Sequence, residues 1–109
     1  ASTSSRPNGT EILYYDTEFK GIKAKDLAQI FSAEIGKVIP ITNRGLVQKQ
    51  DNEIFILKNA LVPAVLIEVG YMTNNNDMAY LSKEENRKTA AEGIYNGIMV
   101  AYETLMMED

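Results

Sequence analysis

Residues 63–71 read Pro-Ala-Val-Leu-Ile-Glu-Val-Gly-Tyr. The unbroken apolar run at 64–67 reads as part of a strand, residues 63–68, bounded by turn-forming residues. No polar residue alternates within it, so both faces expect cover, as in parallel sheets layered by helices. The run then ends in a carboxylate, Glu68. In open α/β sheets ligands bind at the carboxyl ends of strands. Glu68 is therefore a candidate catalytic acid or base. A carboxylate that leaves the core for solvent or meets a lysine is the structural alternative.

Absences narrow the chemistry. The chain has no histidine and no cysteine. A Ser-His-Asp triad, a cysteine nucleophile and a zinc site of nitrogen or sulfur ligands are excluded within it. Its 109 residues suit one domain or part of one. The net charge is −4 and the eleven basic residues do not cluster, so nucleic acid is not an expected partner. No apolar run approaches the roughly 20 residues that span a bilayer. No basic stretch followed by an apolar one opens the chain, so no signal peptide is expected within it.

Along the chain, residues 1–8 are small and polar and read as a tail. Residues 9–15 (GTEILYY) are rich in β-formers and read as a strand. From 17 to 39 the apolar positions Ile22, Leu27, Ile30, Phe31, Ile35 and Val38 share one helical face. Pro40 ends that helix. Residues 41–52 read as a polar connection, 54–57 (IFIL) as a short strand, and 71–77 (YMTNNND) as a turn-rich loop. Ser82-Lys-Glu-Glu85 matches a capping box and opens a final helix. Gly93 and Gly97 on that helix predict close packing against the sheet. The order is β-α-β-β-α: an α/β chain forming part of a mixed, mostly parallel sheet with flanking helices. Its helix face and sheet would each leave one side uncovered.

Residues 43–74 carry a resemblance. Arg44-Gly45, the apolar run at 54–57, Pro63-Ala-Val-Leu-Ile-Glu68, Gly70-Tyr71 and Asn74 resemble the C-terminal part of the zinc-dependent N-acetylmuramoyl-L-alanine amidases of type 3. These are bacterial hydrolases of the cell wall. The strand at 9–15 resembles the one that follows their zinc-binding His-x-Asn. The resemblance implies that Glu68 is the catalytic glutamate, assisting attack of a zinc-bound water on the amide between N-acetylmuramic acid and L-alanine. It suggests Arg44, Asn59 and Asn74 as substrate-binding residues; turn chemistry or surface contact is the plainer role for each.

The family's zinc ligands, two histidines and a glutamate, lie in the N-terminal part of its domain. The chain is accordingly expected to be the C-terminal portion of one catalytic domain, residues 1–109, with the N-terminal portion absent. Zinc belongs to the complete domain, none is expected in this chain alone, and the chain alone is expected to be inactive. The implied partners are peptidoglycan and either the missing N-terminal portion or a second chain carrying the ligands. The implied location is the cell wall or the extracellular space. Two other readings stand beside this one: a non-catalytic module that binds cell-wall material or regulates an intact amidase, and a small interaction domain that pairs through its open faces.

Overall fold

The computed structural model describes residues 8–106. Strand β1 (Thr10–Tyr14) alternates its side chains across two faces. Ile12 and Tyr14 fill one, Leu13 and Tyr15 the other, and all four are buried. Next comes a small hairpin of β2 (Glu18–Phe19) and β3 (Ile22–Lys23). Its turn residues Lys20 and Gly21 both have positive φ, 50° and 83°, which is the sign pattern of a two-residue type I′ turn. Here the structure corrects the expected helix over 17–39. Ile22, five residues before Leu27 and so about 140° around a helix from it, lies in β3, and helix α1 spans only Ala24–Gly36.

Helix α1 buries Ala24, Leu27, Ala28, Phe31 and Ile35 against Ile12 and Tyr14. It also forms the crossover that parallel strands require. Strand β4 (Asn43–Gln48) pairs in parallel with β1. Sequence reading took this stretch for a polar connection. It is an edge strand whose Asn43, Arg44 and Gln48 are exposed, so its pattern does not read as apolar.

The apolar run at 54–57, expected as a strand, contributes instead to a single helical turn, α2 (Phe55–Lys58). Lys58 N donates to Ile54 O and Asn59 N to Phe55 O, each at 3.0 Å. Four apolar residues do not separate helix from strand by periodicity. Leu57 alone of the turn is buried, under Leu13 and Tyr15, whereas Phe55 is 75% exposed.

Strand β5 is shorter than the predicted 63–68: it is Leu66–Glu68, and 63–65 carry no strand assignment. It pairs antiparallel with β1, and the sheet order is β4-β1-β5. The run expected to be a doubly covered parallel strand is thus a half-buried antiparallel edge. The sheet is mixed, with one parallel and one antiparallel pair, and the α/β class with flanking helices holds.

Residues expected as a loop after Glu68 contain helix α3 (Asn75–Leu81), capped by Asn74, whose side chain accepts from Asp77 N. Helix α4 (Glu84–Ala101) follows at once and runs into a π-type turn at Tyr102–Met106. The predicted capping box does not form. Ser82 is the C-cap of α3, and its hydroxyl donates to Ala79 O at 3.0 Å. Gly93 and Gly97 do serve close packing, but against α1 rather than the sheet. A Cβ on Gly97 would stand 2.5 Å from Phe31 Cδ1, and one on Gly93 would stand 3.0 Å from Ile35 Cα. Helices α1 and α4 therefore cover one face of the sheet. The face bearing Leu13 and Leu66 carries α2 and, at the opposite end of β1, the charged residues considered next.

Candidate active site

Glu68 closes β5 directly opposite Glu11 at the start of β1. Opposed residues of an antiparallel pair share a face, and like charges placed so repel. The structure neutralises one of the two. Arg44 Nε lies 3.2 Å from Glu11 Oε2. Tyr71 Oη donates to Glu11 Oε1 at 2.6 Å. The Arg44 guanidinium lies 5.7 Å from the centre of the Tyr71 ring. The Glu68 carboxyl makes no hydrogen bond or ion pair among the described residues. One carboxylate is held by donors and its neighbour is left open. Two carboxylates with two environments is the arrangement that lets one of them move protons.

A β-bulge brings Arg44 to this row. Thr10 pairs with Asn43 but Glu11 pairs with Gly45, so Arg44 is the extra residue between two registers. Such bulges re-aim a side chain and are frequent beside active sites. Gly45 carries φ of +83°, and its N–H donates to Asn43 Oδ1 at 2.8 Å, which fixes the kink. Arg44 Nη1 in turn donates to Asn8 O at 3.1 Å.

The segment after Glu68 is tied down by a buried carboxylate. Asp77 is 2% exposed. Its Oδ2 accepts from Gly9 N at 2.8 Å and from Tyr71 N at 2.9 Å. Gly9 has no room for a side chain: at its φ of +107° a Cβ would stand 2.5 Å from Thr42 O. Thr10 Oγ1 also donates to Val69 O at 2.7 Å. The start of β1 and the exit of β5 are thereby fastened to each other at the end of the ladder next to the Glu11–Glu68 pair.

The other two candidates have local partners. Asn74 Oδ1 accepts from Asp77 N at 3.0 Å, so it orients the residue that clamps Tyr71. Asn59 Nδ2 donates to Phe55 O at 3.0 Å and closes α2, away from the Arg44–Glu11–Glu68 row.

The Tyr71 hydroxyl is pushed up to about 12, first by its hydrogen bond to Glu11, then by burial and by the charges of Glu11 and Glu68, with Arg44 opposing. It remains a neutral donor at physiological pH. Because its folded value lies above the unfolded value near 10, this contact stabilises the fold fully below about pH 10 and ceases to do so as pH rises through about 12. In an ultraviolet difference titration Tyr71→Phe is expected to remove a late-titrating tyrosine. An unchanged titration curve would contradict the Tyr71–Glu11 bond.

A family model described as N-acetylmuramoyl-L-alanine amidase matches residues 1–100. The chain belongs to the N-acetylmuramoyl-L-alanine amidase family. It is 29% identical to the N-acetylmuramoyl-L-alanine amidase LytC of Bacillus subtilis over 94% of this chain and 20% of that protein. With the probable cell wall amidase LytH of Staphylococcus epidermidis it shares 31% identity over 90% of this chain and 31% of that one. Its fold superimposes on the amidase AmiC2 of Nostoc punctiforme with a TM-score of 0.78 and 31% identity, over 91% of this chain and 52% of that chain. The chain thus spans about half of that solved amidase and a fifth to a third of those curated relatives.

The donors among the described residues do not fit a catalytic metal. Among the described residues no group of three or more histidine, cysteine, aspartate or glutamate side chains could hold an ion. Glu11, the carboxylate beside Glu68, is taken by Arg44 and Tyr71. Sequence reading singled out Glu68 and Arg44, which the fold brings to one row, but gave no site role to Glu11, Tyr71 or Asp77. Two signals were there. Glu11 shares the parity of Leu13 and Tyr15, so it is a charge on an otherwise apolar strand face. Asn74 and Asp77 have the spacing of an N-cap and its third helical residue.

Proposed function

We propose that the chain is the C-terminal portion of a peptidoglycan hydrolase that cleaves the amide between N-acetylmuramic acid and the L-alanine of the stem peptide. The observation that carries this reading is the open Glu68 carboxyl beside a second carboxylate already held by Arg44 and Tyr71. Glu68 takes a proton from the attacking water and returns it to the leaving amine of L-alanine. Its short strand is fastened at its exit by Thr10 and Asp77 and along its length by the β1 ladder, which holds the carboxyl in place for that transfer. Arg44 faces the substrate from β4, across β1 from Glu68, and Asn74 orients Asp77 in the segment after Glu68. The family's zinc would be held by protein outside these residues. The setting is the cell wall or the extracellular space, in line with matched relatives named as probable cell wall amidases.

The test is incubation of the full-length protein with purified peptidoglycan, reading new N-terminal L-alanine. The expected result is stoichiometric appearance of that terminus, its loss on chelation and its return with zinc. Solubilised wall carrying new reducing sugars, or peptide termini other than L-alanine, would overturn the reading.

A further inference from the structure

We infer that Arg44 forms an anion subsite beside Glu68 and reads a carboxylate on the stem peptide. This inference deepens the proposed amidase reading and rests on it. The first ground is aim. Arg44 occupies the extra position of a bulge held by the Asn43–Gly45 hydrogen bond, so its direction is built into the strand rather than left to the side chain. The second ground is unused donors. Arg44 has five N–H donors, and the contacts of Nε with Glu11 and of Nη1 with Asn8 O do not use all of them. An arginine fixed by two contacts and left with unused donors is prepared for a planar, charged acceptor. With its side chain 38% exposed, the group is reachable. The Tyr71 ring beneath it and Glu11 beside it limit its swing, so little freedom is lost on binding.

The third ground is distance. Arg44 and Glu68 stand on β4 and β5, with β1 between them. Two strand spacings separate their backbones by roughly 10 Å, and the Arg44 side chain reaches back over β1 to Glu11. An extended peptide advances about 3.5 Å per residue. A scissile carbonyl at Glu68 therefore places the residue after L-alanine within reach of the Arg44 guanidinium over β1. In a stem whose second residue is a γ-linked glutamate, the free α-carboxylate falls within that reach. In walls where this group is amidated, the charge is gone. The ligand class is thus an acidic stem peptide, and the predicted discrimination is carboxylate over carboxamide at that position.

The experiment uses the full-length protein and two matched muropeptides that differ only in carboxylate or carboxamide at the second stem residue. Wild type is expected to favour the acid by about 10-fold in kcat/KM, carried mainly by KM, the size of a hydrogen bond to a charged group. In Arg44→Met the ratio falls to near one. In Arg44→Lys, which keeps the charge but loses the fork, it is intermediate. A wild-type ratio near one, or an unchanged ratio in Arg44→Met, overturns the subsite. Hydrolysis of neither substrate overturns the amidase reading instead. The subsite is then decided by NMR titration of wild type with the two released stem peptides: tighter binding of the acid supports it, and equal affinity ends it.

Discussion

Glu68→Gln in the full-length protein is expected to lower kcat by ~10²- to 10⁴-fold, the range that a positioned general acid–base contributes. Folding should not suffer. The Glu68 carboxyl has no hydrogen-bond partner or counter-ion among the described residues, so the amide breaks no contact there. The substitution also removes one of two like charges set directly across β1 and β5, an arrangement that is itself unfavourable. The melting temperature should therefore stay level or rise while turnover collapses. That opposition separates a catalytic carboxylate from a structural one, because a structural ion-pair residue would lose stability together with activity. Glu11→Gln serves as the contrast. It leaves Arg44 without its carboxylate and should lower stability as well as activity. Turnover by Glu68→Gln within about threefold of wild type would remove Glu68 from the chemistry altogether, since a general base contributes far more.

How far the sequence discloses this arrangement depends on the kind of signal. The strand at 9–15, the central helix and the final helix are legible because each has a clear period or composition and buries one face. The failures are local and have causes. Sequence reading groups Ile22 with the helical face although five residues, about 140° of helix, separate it from Leu27, and Lys20 and Gly21 turn the chain into a hairpin first. Strand β4 escapes notice because edge strands keep polar residues, and its pairing is made by backbone groups that leave no mark in the sequence. The run at 54–57 is apolar enough for either element, and only tertiary packing on Leu13 and Tyr15 selects a helical turn.

The site divides in the same way. Glu68 is conspicuous because a charge ends an apolar run. Glu11 becomes meaningful only once β1 and β5 are known to pair antiparallel in a register that opposes the two carboxylates. Arg44 owes its place to a one-residue bulge. Tyr71 owes its own to Asp77, six residues further along the chain and in another element. Long-range register and buried side-chain-to-backbone bonds determine which residues meet, and neither has a period.

Asp77 carries the second large effect. Its carboxylate is almost wholly buried, at 2% exposure. No cation pairs with it among the described residues; instead Oδ2 accepts the Gly9 and Tyr71 backbone N–H groups. A place in the first turn of α3 adds a favourable field from the helix. Asp77→Ala leaves both amides without their acceptor in a space too closed for free solvent. At about 1–3 kcal/mol for each unsatisfied donor, the expected loss is ~2–6 kcal/mol. That is a large share of the ~5–15 kcal/mol that holds a typical domain together. Asp77→Asn keeps an oxygen for the same donors and gives up the charge, so its loss should be about half as great or less. Urea unfolding of the full-length protein measures both, and hydrogen exchange at the Gly9 and Tyr71 amides localises the effect. If Asp77→Ala shifts neither the midpoint nor those two exchange rates, the amides have another acceptor and the clamp is not what fixes the exit of β5. If the alanine variant loses both while the asparagine variant keeps the Tyr71 amide protected, the bond that seats Tyr71 on Glu11 begins at Asp77.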